Sequence, residues 1–146
     1  MAEPVALPKR FGSDSIETEP SMAGSLAGCL VLIVEDEPLV ALDIADSFKN
    51  AGAHVLVART LAEGMRQAES PELTAAVIDH ALHDGITTSD VCAKLTSRNV
   101  PFIVYSGYNK LKGACAEGEL VRKPASPQML VTTLEGVLAQ HRRSIN

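Results

Sequence analysis

From Leu30 onward, short apolar runs alternate with stretches in which apolar residues return every three or four positions. The runs Leu30-Val34, His54-Val57, Ala75-Ile78, Pro101-Tyr105 and Leu120-Arg122 lack strict polar alternation, as strands do when both faces of a sheet are covered. Between the first two, Pro38 suits the first turn of a helix, and Val40, Ile44 and Phe48 recur up to a stop at Ala51-Gly52. A second helix opens at Thr60-Leu61-Ala62-Glu63, a capping box in which each side chain can satisfy the other's backbone donor, and runs to about Glu69, before Pro71. Val91 and Leu95 mark a third, from Ser89 or Asp90 to just before Asn99. The last starts at Ser126-Pro127, a good N-cap and first-turn pair, and carries Leu130, Leu134, Val137 and Leu138 on one face.

Five strands, each followed by such a pattern, predict an α/β fold with a doubly wound parallel sheet covered on both faces. A length of 146 residues suits one core. Residues 1 to about 27 hold three prolines and scattered charges without apolar periodicity, and read as a flexible tail. The folded domain is expected over residues 28–142, with a short tail at 143–146.

Composition narrows the function. A net charge of −5 supplies no basic footprint for nucleic acid. No apolar run reaches the roughly 20 residues that cross a bilayer, so no membrane contact is expected. Cys29, Cys92 and Cys115 lie far apart with no CxxC pair, as buried or incidental thiols of a reducing, cytoplasmic compartment. Leu26-Ala27-Gly28-Cys29 matches a lipoprotein cleavage box, but polar and acidic residues precede it and the apolar run follows it, the reverse of an export signal.

In a doubly wound sheet, functional residues gather outside the carboxyl ends of the strands. Here the first strand ends in Glu35-Asp36-Glu37-Pro38, the third in Asp79, the fourth in Ser106-Gly107 and the fifth in Lys123-Pro124. Acids converging from two strands repel unless a divalent cation compensates them, and oxygen ligands without His or Cys favour Mg2+ or Mn2+. A carboxylate in such a cluster can attack a phosphoryl group when metal and cation neutralise the phosphoryl oxygens. Asp79 is the best placed nucleophile, Asp36 a direct metal ligand, and Glu35 a ligand directly or through water. Lys123 would pair with one phosphoryl oxygen and Ser106 would donate a hydrogen bond to another.

On these motifs, Glu35-Asp36-Glu37-Pro38, Asp79, Ser106 and Lys123-Pro124 in this order, the chain resembles the response-regulator receiver family over about residues 28 to 141. The resemblance implies a flavodoxin-like strand order 2-1-3-4-5 and a cis Lys123-Pro124 bond. It implies Asp79 as phosphoacceptor, with Ser106 and Lys123 completing the catalytic group. It also implies a metal site of Glu35, Asp36, Asp79 and Ala81, the last of which has only backbone atoms to offer. The phosphoryl donor would be a sensor histidine kinase or a histidine phosphotransfer protein. Output would pass to a separate downstream protein through the short fourth helix, strand five and the last helix, with a homodimer left open. No catalysis beyond the domain's own phosphorylation and dephosphorylation is implied.

Departures from the family pattern bear on the switch. Glu35 replaces the commoner Asp, and Leu120 stands where many receivers carry a switching aromatic. Gly107, Gly113 and Gly118 break the 16 residues between Ser106 and Lys123, which predicts a short or mobile fourth helix as the moving part. Pro101-Phe102-Ile103-Val104-Tyr105-Ser106-Gly107-Tyr108 is similar to an alphaproteobacterial subgroup reading Pro-Phe-x-Phe-Ala-Thr-Gly-Tyr, differing at Val104, Tyr105 and Ser106. Its members include stand-alone receivers in stress signalling. Tyr105 and Tyr108 read as packing residues rather than a replacement switch, and His80 and His83 as solvated loop residues rather than metal ligands or phosphorelay sites. Two other functions fit parts of the pattern: a small Mg-dependent phosphohydrolase, which would want a second acid where Ala81 stands, and a scaffold receiver that no longer switches, which would not need the full set Asp36, Asp79, Ser106 and Lys123.

Overall fold

In the computed structural model, which describes residues 24–144, the five apolar runs form strands that pair side by side. They are β1 (Leu30–Val34), β2 (His54–Ala58), β3 (Ala75–Asp79), β4 (Phe102–Ser106) and β5 (Glu119–Arg122), all parallel, in the order β2-β1-β3-β4-β5. Every residue of β3 and β4 is buried, which is why neither run shows a polar alternation. Residues 1–23, which carry nearly all of the expected flexible tail, lie outside the described residues, as do 145 and 146.

The helices divide between the two faces. α1 (Pro38–Asn50) and α4 (Pro127–Ser144) cover one face over Val31, Ile33, Val77 and Ile103; α2 (Leu61–Gln67) and α3 (Ser89–Ser97) cover the other over Leu32, Val34, Ile78 and Val104. On α1 the buried residues are Ala41, Ile44, Ala45 and Phe48, while Val40 is 42% exposed. A four-residue step overshoots one turn by about 40°, so two successive steps rotate Val40 out of the face that Phe48 occupies, and Ala41 takes its place. α2 begins at the Thr60 cap, whose hydroxyl accepts the Glu63 N–H at 3.1 Å. The Glu63 carboxylate accepts from Arg59 N–H at 2.7 Å rather than from the Thr60 N–H, so the capping box closes one residue earlier than expected. α2 stops at Gln67, short of Glu69, and the Arg98 guanidinium binds the carbonyls of Ala68 and Ser70 just beyond it.

Three boundaries differ from the sequence reading. Leu26 and Cys29 are buried in the core, and the Leu26 N–H binds the Ala51 carbonyl at 2.8 Å, so residues 24–27 belong to the packed body. The lipoprotein-like box is thus part of the domain's packing. α4 continues through Ser144, with Ser126 accepting the Met129 N–H at its start. Between β4 and β5 there is no α-helix, only a 3-10 turn over Gly113–Glu117. Gly118, just after it, packs so close to Phe102 that a Cβ there would lie 2.5 Å from the ring, and the chain returns directly into β5.

Candidate functional site

Because all strands run the same way, their carboxyl ends open at one edge of the sheet. The register sets Val34 beside Ile78, Asp79 beside Tyr105 and Ser106 beside Arg122, which brings Glu35, Asp79, Ser106 and Lys123 to adjacent strand ends. Carboxylate oxygens of Glu35, Asp36 and Asp79 all lie within 4.8 Å of one another. The sequence-predicted acids therefore meet at one point.

Asp79 is buried, and its Oδ1 accepts from Lys123 Nζ at 3.1 Å and from the Ala81 N–H at 3.4 Å. Its Oδ2 accepts no hydrogen bond among the described residues and is the oxygen available to an electrophile or a metal. Burial raises the Asp79 pKa above the ordinary carboxylate value, and Lys123 opposes that rise without cancelling it. Lys123 itself is held by backbone: its N–H binds the Ser106 carbonyl at 2.8 Å, and the Lys123-Pro124 bond is cis, as expected. The Ser106 hydroxyl is buried at the end of β4 and accepts the Tyr108 N–H at 3.0 Å, leaving its proton free to be donated.

Glu35 is 2% exposed, which for a carboxylate demands partners. They are the Glu37 N–H, 2.9 Å from Oε2, and the Tyr105 hydroxyl, which donates to Oε1. Burial still raises its pKa, because these two bonds offset only part of the desolvation. Asp36 behaves oppositely. Desolvation pushes it up, but hydrogen bonds from the His83 ring and backbone outweigh that and lower its pKa. Both the His83 N–H and Nδ1 lie 2.8 Å from Asp36 Oδ2.

The donor set fits a hard divalent cation. The three carboxylates converge, their oxygens keep free lone pairs, and two of the three have pKa values raised chiefly by burial, a cost that a bound cation would offset. Glu35, Asp36 and Asp79 would hold Mg2+ or Mn2+, which would supply charge neutralisation for an incoming anionic group. Ala81 lies beside them with its N–H turned toward Asp79.

Three residues of the site escaped the sequence reading. Tyr105, read as packing, is buried, but its hydroxyl holds Glu35 and its ring lies 5.2 Å from Lys123 Nζ. A Tyr inside a wholly buried strand needs a hydroxyl partner, and that was the available signal. Thr88, also buried, sets its hydroxyl 2.9 Å from the Asp79 carbonyl oxygen and 3.0 Å from that of His80, fixing the loop behind the acceptor. His83 was expected to be a solvated loop residue; its side chain is 66% exposed, yet it pairs with Asp36, because the turn at His83–Gly85 folds back over the end of β1. His80 has a buried Nδ1 without a partner among the described residues and meets Tyr108 edge-on at 5.8 Å.

The five strands thus bring acids, a hydroxyl and an amine to one carboxyl edge of a doubly wound sheet. Comparison with solved structures places the fold: it is that of response-regulator receiver domains. The response regulator PhyR from Brucella abortus superposes with a TM-score of 0.69 at 25% identity, over 85% of this chain and 53% of that one. A CheY-like receiver domain protein from Methanospirillum hungatei gives 0.69 at 22% identity, covering 80% of this chain and 98% of that one. The anti-anti-sigma factor PhyR from Bartonella quintana gives 0.68 at 23% identity, over 84% and 53% respectively. The chain thus spans about half the length of the PhyR proteins and nearly all of the single receiver. No protein-family model and no curated protein matches the sequence.

Proposed function

We propose that this chain is a phosphoacceptor receiver that accepts a phosphoryl group on Asp79 from a phosphohistidine of a sensor kinase or phosphotransfer protein, with Mg2+ held by Glu35, Asp36 and Asp79. The observation that carries the reading is Asp79 itself: a buried carboxylate with one oxygen gripped by Lys123 at 3.1 Å, the other free, and two further acids within 4.8 Å. Asp79 Oδ2 attacks phosphorus as the bond from phosphorus to the donor imidazole nitrogen breaks, and the imidazole leaves with the electron pair. Lys123 and Ser106 then bind two of the phosphoryl oxygens; Mg2+ held by Glu35, Asp36 and Asp79 would supply neutralisation of the remaining charge. No substrate-recognising acid stands at Ala81, which favours a switch over a hydrolase of free metabolites.

Output passes to a separate protein through the 107–119 segment, β5 and α4. The likeness to a PhyR stress response regulator, at 25% identity, and the Pro101–Tyr108 motif favour a stress-signalling partner. The test is intact mass after incubation with acetyl phosphate and Mg2+. One phosphoryl group is expected on the native chain, lost on omission of the metal and absent from Asp79→Asn; equal labelling of Asp79→Asn overturns the assignment.

A further inference from the structure

The three cysteines do not share one fate. Cys29 lies in the core under α1 and α4, where its sulfur accepts from the Arg142 guanidinium at 3.8 Å. Cys92, on α3, and Cys115, in the 3-10 turn Gly113–Glu117, lie in the core on the opposite face of the sheet, fully buried, with their sulfurs 2.9 Å apart. Chain separation had hidden this pair, since they lie 23 positions apart with the whole of β4 between them.

We propose that Cys92 and Cys115 form a reversible intramolecular disulfide, a modification site that staples the β4–β5 crossover to α3. A disulfide bond is about 2.05 Å long, so the sulfurs must close less than about 1 Å, which the turn can supply. That turn is one short 3-10 element flanked by Gly113, at φ +62°, and Gly118, and it rests on α3 without a helix of its own. A single turn of this kind opens locally far more readily than the sheet beneath it, and such opening admits a small oxidant. The two thiols share a hydrogen bond that lowers the pKa of Cys115, against burial, and with burial holds that of Cys92 above the ordinary thiol value. Cys115 sits on the turn that opens and Cys92 on the packed helix, so Cys115 is the attacking sulfur and Cys92 the resolving one.

With a peroxide as oxidant, the chemistry balances. The Cys115 thiolate attacks one peroxide oxygen, the O–O bond breaks, and a sulfenic acid and hydroxide form. The Cys92 sulfur then attacks the sulfenic sulfur; the S–S bond forms, the S–O bond breaks, and the departing hydroxide takes the Cys92 proton as water. Two thiols lose two electrons and one peroxide becomes two waters.

The bond would close a loop containing Ser106 and would tie the segment after it to the helix whose first turn touches the Asp79 loop through Thr88. Its effect on signalling rests on the phosphoacceptor reading; its formation does not. The experiment treats the reduced full chain with hydrogen peroxide, alkylates in denaturant and maps peptides. A crosslink between the Cys92 and Cys115 peptides is expected, with Cys29 alkylated, reversal by dithiothreitol, and no crosslink in Cys92→Ala or Cys115→Ala. Asp79→Asn should crosslink as the native chain does, which separates this test from that of the phosphoacceptor. Oxidation should raise the melting temperature by on the order of 10 °C and slow hydrogen exchange in residues 107–119. Recovery of Cys92 and Cys115 as alkylated thiols, as sulfinic acids, or in disulfides between chains overturns the proposal.

Discussion

Tyr105 faces both halves of the site. Its hydroxyl donates to Glu35 and its ring lies against Lys123, so one side chain orients an acid of the candidate metal site and packs the amine proposed to bind a phosphoryl oxygen. Removing only the hydroxyl tests the first role: Tyr105→Phe should weaken Mg2+ binding by roughly tenfold, the low end for losing a group that orients a ligand. The same variant should lose about 1–3 kcal/mol of stability, because Glu35 stays buried with one bond fewer. Magnesium titration by calorimetry and a denaturant melt measure the two effects. Unchanged affinity would mean that the Glu37 N–H alone orients Glu35. The charged residues that meet at the candidate site were legible in the sequence because they stand together at the strand ends. Tyr105 and Thr88 were not, since an apolar ring or a methyl group in a buried stretch looks like packing until the hydroxyl's partner is visible.

The β4–β5 crossover is the element best suited to move. It leaves from Ser106, which would grip the phosphoryl group, passes through the turn at Gly113–Glu117 and returns just before Lys123. Leu120 pairs in register with Val104, toward the α3 face, while Tyr105 and Val121 face α1 and α4, so no aromatic on β5 can flip between states. The backbone of residues 107–119 must then carry the response. Loading with beryllofluoride and magnesium should draw Ser106 and Lys123 inward and slow hydrogen exchange across 107–119 and at the start of α4. Unchanged exchange there, with ligand bound, would mean that the signal leaves by another face. Glycine spacing predicted that this element would be short, and its 3-10 form agrees. It rests on α3 where Cys115 meets Cys92, a contact that no local pattern encodes.

For the whole molecule, the acidic edge trades stability for function. Asp79 and Glu35 have raised pKa values in the folded state, chiefly through burial, so their contribution to stability is complete below the unfolded carboxylate pKa and is lost as pH rises through the folded value. Two outcomes follow. Asp79→Asn should be more stable than the native chain at pH 7 in the absence of metal, with the difference shrinking as pH falls from the raised folded pKa to the ordinary carboxylate pKa. Mg2+ should restore stability to the native chain, by about 1.4 kcal/mol at ten times its Kd, and this gain should fade over the same fall in pH. Thermal melts between pH 4 and 8, with and without Mg2+ or after its removal by a chelator, measure both. A native chain stabilised by rising pH without metal would show that Lys123 outweighs burial.

The sequence by itself determined the parallel doubly wound sheet, its strand positions and the residues at its carboxyl edge, because apolar periodicity and strand-end charge are local properties written in neighbouring residues. The tertiary structure decided what depends on distant segments meeting. Leu26 is drawn into the core by the end of α1, and Val40 is turned out of it by the helical pitch. His83 reaches Asp36 across 47 positions and Tyr105 reaches Glu35 across 70. Cys92 meets Cys115 because β4 runs between them and returns the chain to the same face. Such contacts are set by the register of the sheet and the length of each crossover, which no window of sequence contains.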